Sequence, residues 1–229
     1  MDMSEVDQIL DQLRQLGSDQ TKKVLSKHGA REPFFGVKVA DLTKIQKKIK
    51  VNHTLALQLF ETGNSDAMYL AGMIADPQQM DEATLNHWAD EAYWYMLSEY
   101  TVARIAANSN YAEKVSLDWI QSDQERVASA GWATLSLMLT KSHPFHLNTK
   151  LIQSLLQKVE AQIPNAHNRV KYTMNGFVIA AGSYVTELTD FATEVALRNG
   201  KIKVDMGGTA CKVPEAVSYI QKTLARRKK

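Results

Sequence analysis

The 229-residue sequence predicts an all-α fold, a solenoid of stacked helix pairs carrying one short C-terminal β-hairpin. Three observations predict it. Apolar residues recur at i, i+3, i+4 and i+7 through most of the chain, the spacing that gives a helix one buried stripe. The segments bearing these stripes run about 10 to 18 residues with about two to six between them, as antiparallel helix neighbours require. Five prolines and eleven glycines are too few to interrupt helices of that length.

Taken in order, Val6, Ile9, Leu10, Leu13 and Leu16 put one stripe on a first helix that stops at Gly17. A second helix runs from Asp19 to His28. GAREPFFGVK then reads as a turn whose Phe34 and Phe35 plug a gap between helices. Further helices follow from Asp41 to Lys50, Thr54 to Glu61, Ser65 to Ala75, Asp81 to Tyr95, and Ser98 to Asn108. Ser65 and Asp81 suit N-caps, because a short side-chain oxygen can take up free amides of the first turn. The pattern continues from Tyr111 to Gln121, Asp123 to Thr140, Leu147 to Ala161, Ala166 to Gly182, and Thr186 to Asn199. Leu147, Leu151, Ile152, Leu155, Leu156 and Val159 make the clearest amphipathic stripe.

Small pairs recur inside helices at Ala71-Gly72, Ala130-Gly131 and Asn175-Gly176. A helical glycine costs about 1 kcal/mol against alanine, which close helix contact offsets. Degenerate HEAT-type pairs, which bury their apolar faces only by stacking, fit this pattern. The strand signal lies in KIKVDMGGTACKVP. With Gly207-Gly208 as a two-residue turn, Met206 faces Thr209, Val204 faces Cys211 and Ile202 faces Val213, making one apolar face that includes Cys211. Lys203 and Lys212 lie opposite each other on the other face, with Lys201 beside them. Pro214 opens a final helix. The whole chain, 1–229, reads as a single domain.

Composition bounds the function classes. The net charge of +2 is too small for the whole-molecule field to attract nucleic acid, so any such surface must come from local clustering. A single cysteine, Cys211, leaves no internal disulfide and fits a reducing compartment. The start, MDMSEVDQ, is acidic where a signal peptide is basic, and no apolar run approaches the roughly 18 residues of a membrane span. A cytoplasmic monomer is expected. Nothing matches a P-loop, a dinucleotide fingerprint or a zinc cluster, and His143 and His146 form an isolated pair in a turn. No cofactor or metal is expected.

Basic residues concentrate in three places. Lys22, Lys23 and Lys27 lie on the second helix, and Lys44, Lys47, Lys48 and Lys50 on the third, where Lys44 and Lys48 share a face. The hairpin lysines and Arg226-Arg227-Lys228-Lys229 form the third cluster. Such tracks contact phosphates, and a two-stranded ribbon fits a major groove, although a solvated face would look the same. The other constellation is Tyr93-Trp94-Tyr95 with Glu99 and Tyr100. Rings beside a carboxylate can hold a cation, but such runs also build helix-pair cores, as do Trp119 and Trp132.

Taken together, KHGAREPFFGVKVADLTKIQKKI, the helix-pair pattern and LDWIQSDQERVASAGWATL resemble the AlkD-type DNA alkylation repair family. The resemblance extends to about Tyr184, and FFGVKVADLTKI is its most specific stretch. It implies HEAT-like repeats curved into a basic cleft around double-stranded DNA, with excision of cationic N3- and N7-alkylpurines by cleft tryptophans, an aspartate and an arginine, and no cofactor. In YWYMLSEYTVA the family's tryptophan falls on Tyr95 and its aspartate on Glu99; a one-residue shift gives Trp94 and Ser98. The second tryptophan falls on Phe177 in MNGFVIA, and the arginine near Ser129, with Arg126 one turn earlier. In the first register none of these matches is an identity, and losing the arginine removes a phosphate anchor. The hairpin resembles the AlkF and AlkG type, which the resemblance associates with branched DNA and no glycosylase activity.

The sequence thus predicts a duplex or branched-DNA binder of weak or no catalytic activity, using Lys44, Lys47, Lys48, Arg126, Lys201, Lys203 and Lys212. Two alternatives remain: an alkylpurine glycosylase acting through Glu99, Tyr95 and Phe177, and a helical scaffold for another protein.

Overall fold

The computed structural model describes residues 3–140 and 148–227. The pair His143 and His146, the expected helix start at Leu147, and Lys228 and Lys229 lie outside the described residues. Thirteen α-helices are found among the described residues: α1 (Glu5–Leu16), α2 (Asp19–Lys27), α3 (Val39–Ile49), α4 (His53–Glu61), α5 (Ser65–Ile74), α6 (Glu82–Glu91), α7 (Ala103–Ala107), α8 (Ala112–Trp119), α9 (Glu125–Met138), α10 (Thr149–Gln162), α11 (Asn168–Tyr184), α12 (Thr189–Asn199) and α13 (Ala216–Arg227). A π-helical segment, Met96–Val102, runs directly into α7.

Helix starts follow local chemistry. Ser4, Ser18, Asn52 and Asp81 each accept a first-turn amide of the helix that follows. Asn64, not Ser65, caps α5, and Ser65 instead accepts a hydrogen bond from Trp94 Nε1 at 2.9 Å. The turn after α2 is pinned by Asp66, whose carboxylate accepts the amides of Phe35, Gly36 and Val37 at 2.6, 3.0 and 3.1 Å. Phe34 beside them is buried, as a plug requires.

The helices form two rows. Helix α3, α5, the π segment with α7, α9, α11 and α13 pack successively as a front row, and α4, α8 and α12 cover the back of α5, α9 and α11. Helix α9 belongs to two hydrophobic cores. Its Val127 and Ala130 pack with the N-terminal helices, and its Ala128, Trp132, Leu135 and Met138 with the C-terminal ones. Two of the small pairs do bring helices close: a Cβ on Gly72 would strike Thr101, and one on Gly131 would lie 2.9 Å from the Ile120 amide nitrogen. Gly176 differs, since a Cβ there meets nothing within 4 Å.

The expected β-hairpin is not formed, and no strand occurs among the described residues. Its turn survives: Gly207 and Gly208 have φ of 66° and 68°, and the Thr209 amide donates to the Met206 carbonyl at 3.3 Å. Beyond the turn, the amides that a ladder would use are diverted. Cys211 N–H donates to Thr209 Oγ1 at 3.3 Å instead of crossing to Val204. On the outer edge, Asp205 donates its amide to Asn168 Oδ1 at 2.7 Å and accepts from Asn168 Nδ2 at 2.8 Å, which ties the arm to the start of α11. The two arms stand apart over a groove of about 900 Å³ lined by Ile202, Val204, Val213 and Val217. Cys211, expected on a packed apolar face, is exposed.

Candidate nucleic-acid interface

Both registers considered for the aromatic run can be compared directly. Trp94 and Ser98 are buried in the core, whereas Tyr95 and Glu99 turn together toward α11. Tyr93 goes elsewhere: its hydroxyl donates to the Arg31 carbonyl at 2.9 Å, and the Arg31 guanidinium covers its ring. The π segment, with its wider turn, carries Glu99. Such segments recur at functional sites.

Glu99 meets Arg169, a residue sequence reasoning had not singled out. Arg169 Nε and Nη2 donate to the two Glu99 oxygens at 2.8 and 2.5 Å, a two-pronged ion pair. The guanidinium carbon lies 4.4 Å from the Tyr95 ring centre and 4.2 Å from that of Tyr172, so it is held between two aromatic rings. Glu99 is only 7% exposed. Burial pushes its carboxyl from an ordinary 4.5 up to about 7, against the opposing pull of Arg169. The Tyr95 hydroxyl lies 3.0 Å from His28 Nδ1, fixing the ring from the other end.

Neighbouring elements hold Arg169 in place. His167 makes no side-chain cap for α11; instead Glu125, in the first turn of α9, accepts the Arg169 amide at 2.7 Å. Met206, at the loop's turn, lies 3.8 Å from Arg169 Nη1. Gly207 closes the loop on the N-terminal end, because a Cβ there would lie 2.6 Å from the Lys27 carbonyl oxygen. The spacing of Arg169 and Tyr172 on one face of a helix is the sequence signal that could have found this cation, although nothing in it points to Glu99, 70 residues away.

The remaining expected site residues are dispersed. Phe177 is fully enclosed, its ring 5.3 Å from that of Trp132, so it offers no face to a base. Ser129 is buried, and Arg126 is spent on the Asp90 carbonyl, to which its Nε donates at 2.6 Å. Lys44 pairs with Asp41 at 2.8 Å. Lys47 and Lys48 are exposed without an ion pair among the described residues, as are Lys203 and Lys212 on the loop. Lys201 and Lys203 share a recess with Lys171 and Arg198. Front-row cations that the lysine clusters did not reveal are the exposed Arg104 on α7 and Lys222, whose ammonium lies 5.6 Å from the Tyr219 ring centre. No helix among the described residues is long and apolar enough to cross a membrane.

The front row of stacked helices, backed by a second row, resembles a HEAT-like repeat fold. Comparison with known proteins narrows this. The chain belongs to the family described as DNA alkylation repair enzyme, which it matches over residues 9–201. A solved structure with 37% sequence identity superposes with a TM-score of 0.89, covering 98% of this chain and 95% of that one. It is described as a new family of proteins related to the HEAT-like repeat DNA glycosylases with affinity for branched DNA structures. Uncharacterized proteins of Listeria monocytogenes serovar 1/2a and Listeria innocua serovar 6a are 34% and 33% identical. They align over 97% and 96% of this chain and 98% and 97% of their own lengths.

Proposed function

We propose that this protein binds duplex or branched DNA along a basic concave surface, with weak or no glycosylase activity. The observation that carries this reading is Arg169. A glycosylase for cationic alkylpurines needs a vacant site where rings and a carboxylate meet the positive base. Here Tyr95, Tyr172 and Glu99 already hold the chain's own guanidinium, and both Glu99 oxygens are engaged. An incoming base would have to break a buried two-pronged ion pair, which costs about 3–5 kcal/mol when one partner is removed. Binding to DNA is supported by the solved relative with affinity for branched structures and by exposed Lys47, Lys48, Lys203, Lys212 and Arg104.

The test is a mobility-shift comparison of linear, alkylated and four-way DNA across a salt series, run beside an assay for released 7-methylguanine and 3-methyladenine. Salt-sensitive binding without base release is expected. Release that disappears in Glu99→Gln would establish the glycosylase instead. Lys203→Glu combined with Lys212→Glu should weaken binding; unchanged affinity would favour a scaffold for another protein.

A further inference from the structure

Gly176 is the one member of the three small pairs that brings no helices together. The space above it belongs to a recess of about 220 Å³ between the π segment with α7, α9 and α11. Tyr100 and Tyr172 supply aromatic walls, Ala133 and Leu137 the aliphatic ones, and Arg104 is exposed at its edge. We infer that this recess receives one unpaired nucleobase of a bound DNA, with Arg104 against the adjoining phosphate. The inference rests on the DNA-binding reading above and specifies what that site takes.

Size, charge and surface chemistry each support this occupant. The volume lies below the roughly 300–1,000 Å³ of drug-sized ligand sites, so it suits a single ring system and not a nucleotide with its sugar and phosphate. Tyr100 is 43% exposed, a large aromatic left uncovered by the protein's own packing. Every base has a π-face, and stacking on aromatic side chains is the sequence-tolerant way to hold one. Two guanidiniums, Arg104 and Arg169, flank a single carboxylate, Glu99, that is already paired. That balance repels a cationic alkylpurine and suits a neutral base on an anionic backbone. The aliphatic hydroxyls of the lining are turned to their own helices: Ser136 donates to the Trp132 carbonyl at 2.7 Å, and Thr173 to those of Arg169 and Val170, both at 3.2 Å. They have no proton left with which to read a base edge, which leaves the aromatic walls as the principal contact.

The experiment combines filling the recess with deleting the base. The full-length chain is titrated against a branched DNA carrying 2-aminopurine at an unpaired position beside the branch, and against the same DNA with an abasic analogue there. Gly176→Leu fills the recess from a position where a Cβ meets no atom, so the fold should be retained; circular dichroism checks this. Tyr100→Ala, at an exposed position, removes a wall instead. With the base present, each variant should lose about tenfold in affinity and abolish the 2-aminopurine fluorescence change seen on binding by the unaltered protein. With the abasic DNA, variants and unaltered protein should bind alike. Equal losses on both DNAs, or no loss on either, would overturn the recess while leaving DNA binding intact. Failure of the unaltered protein to bind either DNA at low salt would overturn the DNA-binding reading itself.

Discussion

Arg169 and Glu99 bury opposite charges whose separate removal should be felt as stability. Arg169→Ala strands a carboxylate with 4% side-chain exposure, and breaking such a pair costs about 3–5 kcal/mol. The cost should depend on pH. In the intact protein, burial holds the Glu99 carboxyl at about 7, above its ordinary 4.5, so the folded state binds the proton more tightly than the unfolded one. Its contribution is therefore complete below 4.5 and is lost as pH rises through about 7. Without Arg169 the opposing pull disappears and the folded carboxyl titrates higher still. The Tm gap between the intact protein and Arg169→Ala should thus widen from pH 5 to pH 8. A constant gap would mean that Glu99 does not sense Arg169. The aromatic and carboxylate half of this cluster was legible in YWYMLSEY, because Tyr95 and Glu99 recur at helical spacing. Its cationic half was not: a lone arginine in NRVKY shows its partner only after α11 packs against α9, which packs in turn on the π segment.

Elements were legible where local chemistry decides them and obscure where packing does. Asp81 caps its helix where a short polar side chain precedes an apolar stripe, whereas the cap of α5 falls on Asn64, one residue before the Ser65 that the same rule selects. The π segment carries no propensity signature; it begins two residues after Trp94, which is tied to Ser65, and carries Glu99, which is tied to Arg169. The C-terminal loop divides the same way. Gly207-Gly208 specifies its turn, but Asn168, more than thirty residues upstream, competes for the arm that alternation assigns to a strand. Asn168→Ala removes both bonds to Asp205. At about 0.5–1.5 kcal/mol for each bond, global stability should fall by about 1–3 kcal/mol. Limited proteolysis within 201–213 should accelerate by more than that global loss explains. Cleavage at the original rate would show that the loop is held from elsewhere, with the Gly207 contact at Lys27 as the next anchor to test.

For the whole molecule, a stack of helix pairs makes stability a sum of local units and their shared faces, so a lesion in one unit need not melt its neighbour at once. Helix α9 is the shared face, and Trp132 is its largest contribution to the C-terminal core. The side chain is fully buried and its indole N–H has no partner among the described residues, so Trp132→Ala removes packing and strands none of their hydrogen-bonding groups. The cost should be about 3–5 kcal/mol, borne mainly by the C-terminal side. The chain reports the two sides separately. Of its four tryptophans, Trp88, Trp94 and Trp119 lie in the N-terminal core and only Trp132 in the other, so the variant's remaining fluorescence sees the N-terminal side alone. Circular dichroism sees the helices of both. On denaturant titration of Trp132→Ala, the dichroism signal should begin to fall at lower concentration than the fluorescence, while in the intact protein the two should coincide more closely. Coincident transitions in the variant would mean that Val127 and Ala130, on the opposite side of α9, couple the cores strongly enough to make them one cooperative unit.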